Sequence, residues 1–359
     1  TATATVRGLG GYSAFTVQKT FVIAPIKLVA PEAVGGGSGM TWDSPMTLAE
    51  ATAAMTAGGE IWVKKGVNVC SYPDGAEAFA PTAEVAIRGG FEGAEGAAAE
   101  RPAEGKSTLD GEDVSDVLTL ANTVPVTLER LVITRGHAHG VNKTAAGALT
   151  LVDCEINGNG TKLENYNKDN YGRGLYFLGG TTAKPMPALT ISRCLFAGNV
   201  VSESDFDSKT GALNEYGTAL WVRLATLTMT DTTFVTNGIP YEKAASAAFG
   251  LSSRAKYEGA ILYADQVNMT VERCRFIANR VSCNWLSKDY QQGSLIYISQ
   301  NNTKTTFQNC LFAGNSVIGP TTKSTAARYF KFAGTNAKQE LFDRCTFAYN
   351  LMRTQWPLI

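Results

Sequence analysis

Histidine is nearly missing from this chain, with His137 and His139 the two imidazoles among 359 residues. A metal centre built mainly from imidazoles, which needs three or four ligands, is therefore not expected. An excess of one charge is missing as well: Lys plus Arg and Asp plus Glu number 32 each. No net field steers a polyanion, so nucleic acid is not an expected partner. Nothing approaches the ~18 consecutive apolar residues of a membrane helix, and no helical heptad or strand-helix alternation runs through the chain. The sequence opens without an initiator Met or a signal peptide and reads as a piece of a longer, multidomain chain.

What is present is one short motif written six times, as LTLVDCEINGN, LTISRCLFAGN, LTMTDTTFVTN, MTVERCRFIAN, TTFQNCLFAGN and ELFDRCTFAYN. A seventh version, VTLERLVITRG, precedes them. Aligned, they place Cys154, Cys194, Thr232, Cys274, Cys310 and Cys345 in one column, with steps of 40, 38, 42, 36 and 35 residues. A fixed unit separated by variable inserts is the signature of a stacked array. Apolar residues recur at every second position on both sides of a one-residue phase break, as in Leu189, Ile191 and then Cys194, Phe196; that period means strand. Two short strands meeting at a bend bury their inner face only by stacking on the next copy.

A further strand precedes each of the last five units: GRGLYFL, GTALWVR, GAILYAD, GSLIYIS and RYFKFAG. Alternation predicts Leu175, Leu220, Ile261, Leu295 and Phe330 inward, with Phe177, Val222, Tyr263, Tyr297 and Phe332 two residues later. Tyr176, Trp221, Leu262, Ile296 and Lys331 then face outward. Three parallel strands per turn predict an all-β chain, a single-stranded right-handed parallel β-helix. Thr47 to Ala57 has helical spacing and suits a cap on its first coil, with a strand over Glu60 to Lys64 and the solenoid running from about Ile61. Residues 1–30, which open with two alternating strands around Gly10-Gly11-Tyr12, are expected to form a hairpin apart from the solenoid of 31–359.

Five cysteines in one repeat column, Cys154, Cys194, Cys274, Cys310 and Cys345, read as stacked, reduced core residues rather than a disulfide framework. Cys70 and Cys283 fall outside the column, and the sequence assigns them no role. At the bend the residues run Arg130, Asp153, Arg193, Asp231, Arg273, Asn309, Arg344. Alternating signs predict that Asp153, Arg193, Asp231 and Arg273 are successive neighbours that fix the register of the stack. The closing Asn159, Asn199, Asn237, Asn279, Asn315 and Asn350 are expected to accept left-handed backbone angles and to bond along the array.

These motifs resemble those of pectin-lyase-like β-helix proteins of bacterial surfaces. The likeness rests on GGGSGMTWDSPMTLAEATAAMTAGGEIWVKKGVN from Gly35, AIRGGFEGAEG from Ala86, STLDG from Ser107 and the C-x-F-x-x-N units, which are similar to those of polymorphic outer-membrane proteins. The first 26 residues resemble the last hairpin of a bacterial immunoglobulin-like repeat. Enzymes and non-enzymes share this fold, so the resemblance transfers no activity. Polygalacturonases of the group would carry Asn-Thr-Asp, Asp-Asp, Gly-His-Gly and Arg-x-Lys segments, and only Gly136-His137-Ala138-His139-Gly140 comes near. The Trp-x-Asp-His and Arg-x-Pro-x-x-Arg segments of pectate lyases do not occur.

The expected function is therefore a non-catalytic, extracellular or cell-surface module, monomeric in itself, that binds carbohydrate or a host molecule. A polysaccharide lyase or glycoside hydrolase on an acidic polysaccharide, with Lys331, Arg223 or Tyr176 as base, is the alternative. The candidate glycan site is a flat platform of Tyr176 and Trp221 with Arg223 beside it, flanked by the loops Val200 to Tyr216 and Ile239 to Lys256. No cofactor and no metal is assigned. Calcium is the one ion that the acidic runs at Asp110, Glu112, Asp113 and Asp116, or at Glu203, Asp205 and Asp207, would suit.

Overall fold

The structure, a computed structural model, describes residues 2–7, 16–21, 25–55, 57–70, 78–160, 169–180, 186–201, 214–239, 256–282, 292–299, 304–318, 327–333 and 340–353. Ala2–Arg7 pairs antiparallel with Thr16–Phe21; the residues between them, Gly10-Gly11-Tyr12 included, lie outside the described ones. From Ile26 onward the described strands pair in parallel with the same strand of the next coil. Nine strands from Gly66–Val69 to Thr346–Ala348 form one sheet, which contains the Phe or Ile of each motif. Four short strands, Gly238–Ile239, Arg280–Ser282, Ser316–Ile318 and Leu351–Arg353, form another. The remaining two sides merge into one large sheet, because Leu220–Thr230 and Leu262–Glu272 run unbroken through a corner at Leu224 and Gln266, each with φ of 57°. The fold is a right-handed parallel β-helix, the hand that crossovers between parallel strands take.

Parallel pairing begins at Ile26–Val29, which lies in register with Glu60–Val63. The first strand of the solenoid thus precedes both the expected start at Ile61 and the expected boundary at residue 31. The cap helix spans Leu48–Ala54, shorter than the spacing suggested, with Thr47 and Glu50 forming a reciprocal capping box. Leu48, Ala51 and Met55 are buried against the first coils. At the other end no such plug is seen among the described residues: Leu341, Phe347 and Leu351 of the last coil are each more than half exposed, at 53%, 52% and 56%.

Inside the coils the columns stack like with like. Phe196, Phe234, Phe276, Phe312 and Phe347 lie ring on ring with centroids 4.7 to 5.1 Å apart. Cys154, Cys194, Cys274 and Cys310 are buried and Cys345 half-buried, all as free thiols, and Thr232 shares their column. Cys70 is buried too, and burial pushes its thiol up to about 12, which makes it a poor nucleophile. Cys283 lies outside the described residues.

The phase break is a left-handed residue. Arg130, Asp153, Arg193, Asp231, Arg273, Asn309 and Arg344 all have φ between 51° and 54°. The asparagines do not: the left-handed residue of the second turn is the one before each, Gly158, Gly198, Thr236, Ala278, Gly314 and Tyr349. Each Asn instead spans the stack. Asn159, Asn199, Asn237, Asn279 and Asn315 donate Nδ2 to the Oδ1 of the next Asn at 3.0 to 3.2 Å.

The bend charges form two clasps rather than a continuous ladder. Arg193 donates to both oxygens of Asp153 at 2.7 and 2.8 Å, and Arg273 to both of Asp231 at 2.7 and 2.9 Å. Arg193 and Asp231 are adjacent in register, but no hydrogen bond joins them among the described residues. Arg130 turns away to the carbonyls of Gly105 and Pro102. The Arg193 guanidinium holds the Asp153 carboxyl below its ordinary value, yet the pair is solvent-exposed. Asp153→Arg is expected to lower unfolding free energy in urea by only about 1 kcal/mol; a loss several times larger would mean that the clasp organises the bend itself.

Candidate functional site

The outward column of the strand before each motif runs Thr119, Asn142, Tyr176, Trp221, Tyr263, Tyr297, Lys331. This corrects the sequence reading by one residue in two coils: Leu262 and Ile296 point inward, and Tyr263 and Tyr297 replace them outside. The slip arose at the corner. Ile261 and Leu295 are buried as well, so Ala260, Ile261 and Leu262 form an apolar run in which period two has no phase. The missed signal was the constant spacing Gly172 to Leu175, Gly217 to Leu220, Gly259 to Leu262 and Gly293 to Ile296. Gly217 and Gly259 turn the chain at φ of 62°.

The corrected column is a continuous ring stack. Tyr176 and Trp221 lie 4.5 Å apart and 3° from parallel, Trp221 and Tyr263 6.2 Å and 8°, Tyr263 and Tyr297 4.4 Å and 2°. The Lys331 ammonium covers the end at 5.2 Å from the Tyr297 centroid. Stacking along the solenoid axis hides the ring faces and turns the edges outward. The flat Tyr176–Trp221 platform is therefore absent. Trp221 is 5% exposed, with Tyr171 tilted against it at 5.2 Å. Its indole Nε1 is buried and has no hydrogen-bond partner among the described residues. Tyr176, Tyr263 and Tyr297 are half-buried.

Polar groups line both margins of this stack. Two residues after Trp221, exposed Arg223 reaches Asp265 of the next coil at 3.1 Å, and Ser299 Oγ donates to the other oxygen of Asp265 at 2.5 Å. Near the Tyr176 end, Asp116 accepts the backbone N–H of His139 at 2.8 Å and Asn142 Nδ2 at 2.8 Å, and its carboxylate faces His139 Nδ1 at 3.1 Å. Burial alone would raise the Asp116 carboxyl. The hydrogen bonds and the pull of His139, with the Asn142 amide, outweigh it and hold the group below its ordinary value. The His139 ring lies 5.6 Å from Tyr176, whose hydroxyl burial pushes up against the opposing influence of Arg223. Behind Tyr171 and Tyr216, which stack at 5.2 Å, the buried Arg173 and Glu215 pair through two bonds of 3.2 and 2.7 Å. That pair fixes the corner carrying the rings.

The remaining candidates do not converge. Asp110 is taken by Arg135 through bonds of 2.6 to 3.0 Å, and Asp116 by His139. Among the described residues no three His, Cys, Asp or Glu side chains gather as ion ligands would. Glu203, Asp205 and Asp207 lie outside the described residues, as do most of the two flanking loops. His137 meets the carbonyl of Val114 at 3.2 Å, away from His139's partner.

No family model and no curated protein matches the sequence. Among solved structures the chain is similar to that titled crystal structure of pectate lyase Pel9A, at 12% identity and a TM-score of 0.34, over 88% of this chain and 79% of that one. A likeness of that size carries no residue and no activity across.

Proposed function

We propose that this β-helix is a non-catalytic recognition module of a bacterial surface or exported protein, binding carbohydrate or a host-surface molecule at the aromatic stack and its polar margins. The repeat type resembles that of polymorphic outer-membrane proteins, and a hairpin like the end of an immunoglobulin-like repeat suits a multidomain adhesin. The observation that carries the reading is the stack itself. Four aromatic residues in register on an outward face, edged by Arg223, Asp265, Asp116 and His139, form an extended surface of mixed donors and acceptors. In the sequence the longest inserts of the chain, between Val201 and Asn214, Ile239 and Lys256, and Ser282 and Gln292, precede the strands that carry Trp221, Tyr263 and Tyr297. Variable inserts on a rigid scaffold are where recognition is built.

A second reading has one specific support. Asp116 at His139 Nδ1 is the arrangement that orients an imidazole as a base, and Tyr176 lies beside it. A glycan array run beside an assay for new unsaturated or reducing ends separates the two. Binding without bond cleavage is expected, and Tyr176→Ser or Arg223→Ala should weaken it by ~1–3 kcal/mol, as loss of one aromatic or charged hydrogen-bonding contact does. Cleavage abolished by His139→Ala would replace the binding reading with the enzymatic one.

A further inference from the structure

His139 is one of two imidazoles in the chain, and its surroundings decide which ring nitrogen carries the proton. Asp116 accepts the backbone N–H of His139 and the Asn142 amide, both at 2.8 Å, and its two oxygens meet His139 Nδ1 at 3.1 and 3.2 Å. A carboxylate held ionised in this way can only accept, so the neutral ring carries its proton on Nδ1. Nε2 is left with its lone pair. No described residue bonds that nitrogen, and it is not closed off from solvent: the side chain is 20% exposed, beside Tyr176 at the end of the aromatic stack. The other charged and titratable groups around the ring are Tyr176, Arg223 beyond it, and His137 on its own turn, which meets the Val114 carbonyl. Arg173, whose carbonyl accepts the Gly140 N–H, turns its side chain to Glu215. A neutral His139 thus presents an acceptor backed by the Asp116 charge. A protonated one presents a donor, and its charge offsets that carboxylate.

We propose that His139 Nε2 is a ligand contact whose sense reverses with pH: it accepts a sugar hydroxyl while the ring is neutral and donates to a sugar carboxylate once the ring is protonated. This rests on the carbohydrate reading above and adds the regulation of that site. Hydrogen bonding and charge act with one sign. Against the neutral ring, an acidic sugar meets a lone pair and the carboxylate behind it, a like-charge arrangement that interfaces avoid. Against the protonated ring it meets the N–H of a cation, and charge-assisted hydrogen bonds are the stronger ones. Imidazoles change charge between about pH 5 and 8, and sugar carboxylates, like other carboxylates with pKa near about 4, stay ionised across that window.

The test has one arm without ligand and one with it. Long-range proton–nitrogen correlation spectra of the full chain show two imidazoles, assigned with His137→Gln. At high pH His139 is expected as the Nδ1–H tautomer; the Nε2–H tautomer overturns the fixed acceptor. Calorimetry then compares oligogalacturonate, oligomannuronate and oligoglucuronate, each beside its methyl ester, at about pH 5.5 and about pH 8, on either side of imidazole titration. Acidification is expected to raise affinity for the acids about tenfold relative to their esters, the scale of one hydrogen bond to a charged group. His139→Gln keeps a polar side chain that does not titrate, and there the gain should shrink to less than about twofold. An equal gain in His139→Gln, or none in the parent, sinks the switch and leaves the carbohydrate reading standing. If no oligosaccharide binds at either pH, the carbohydrate reading falls and the ligand contact with it.

Discussion

Asn237→Ala is expected to lower the free energy of unfolding by on the order of 4 kcal/mol, because it removes a residue that both neighbouring coils use. Asn237 Oδ1 accepts the backbone N–H of Asn199 at 3.1 Å and its Nδ2 at 3.0 Å. Its own Nδ2 donates to the carbonyl of Phe196 at 2.8 Å and to Asn279 Oδ1 at 3.1 Å. Alanine therefore strands two buried donors and takes a donor from two acceptors, each unsatisfied group costing ~1–3 kcal/mol. Equilibrium unfolding in urea measures the change. A loss below about 1 kcal/mol would mean that water replaces the amide freely and that the ladder is not what ties coil to coil.

The second large effect has the opposite sign. Lys143 lies inward, in register with Leu120 and Phe177, and is fully buried. Its ammonium donates to the carbonyl of Asn122 at 3.1 Å and sits 5.6 Å from the Phe177 ring. No carboxylate faces it among the described residues, and burial brings its pKa down to about 8. The unfolded chain binds this proton up to its ordinary value near 10.5, so the folded state is penalised at neutral pH. The penalty fades as pH rises from about 8 to about 10.5. Lys143→Met fills similar volume, and the Asn122 carbonyl keeps the N–H of Gly147 at 2.8 Å. Stabilisation of about 3 kcal/mol at pH 7 is expected, shrinking toward zero near pH 10.5. A destabilised variant, or a gain independent of pH, would show that the lysine is held by contacts outweighing its desolvation.

Much of this architecture was legible because repetition supplies its own alignment. The column of Cys154 and Cys194 to Cys345 fixed the strand, and the charge at position 153 or 193 marked the bend. The same logic failed where a coil departs from period two. Ile261 and Leu295 occupy a corner where successive residues are all buried, so alternation could not say whether Leu262 or Tyr263 faced solvent, and half of the ring stack was lost to view. Lys143 was hidden for a related reason: a single cation in a three-residue strand reads as surface until its partners in register, Leu120 and Phe177, are known. The Asp116–His139 contact joins residues 23 apart across a coil whose motif is the least regular of the set, and spacing alone gave it no address.

The cap on the first coil has a consequence for how the molecule is assembled. The helix Leu48–Ala54 and its buried Leu48, Ala51 and Met55 precede the later coils in the chain, so this floor is synthesised before the coils that stand on it. Each new coil then docks on the one beneath it, and its asparagine supplies the acceptor that the previous asparagine was waiting for. Growth of the array therefore runs in the direction of synthesis, and the ring stack is laid down coil by coil on a floor already in place.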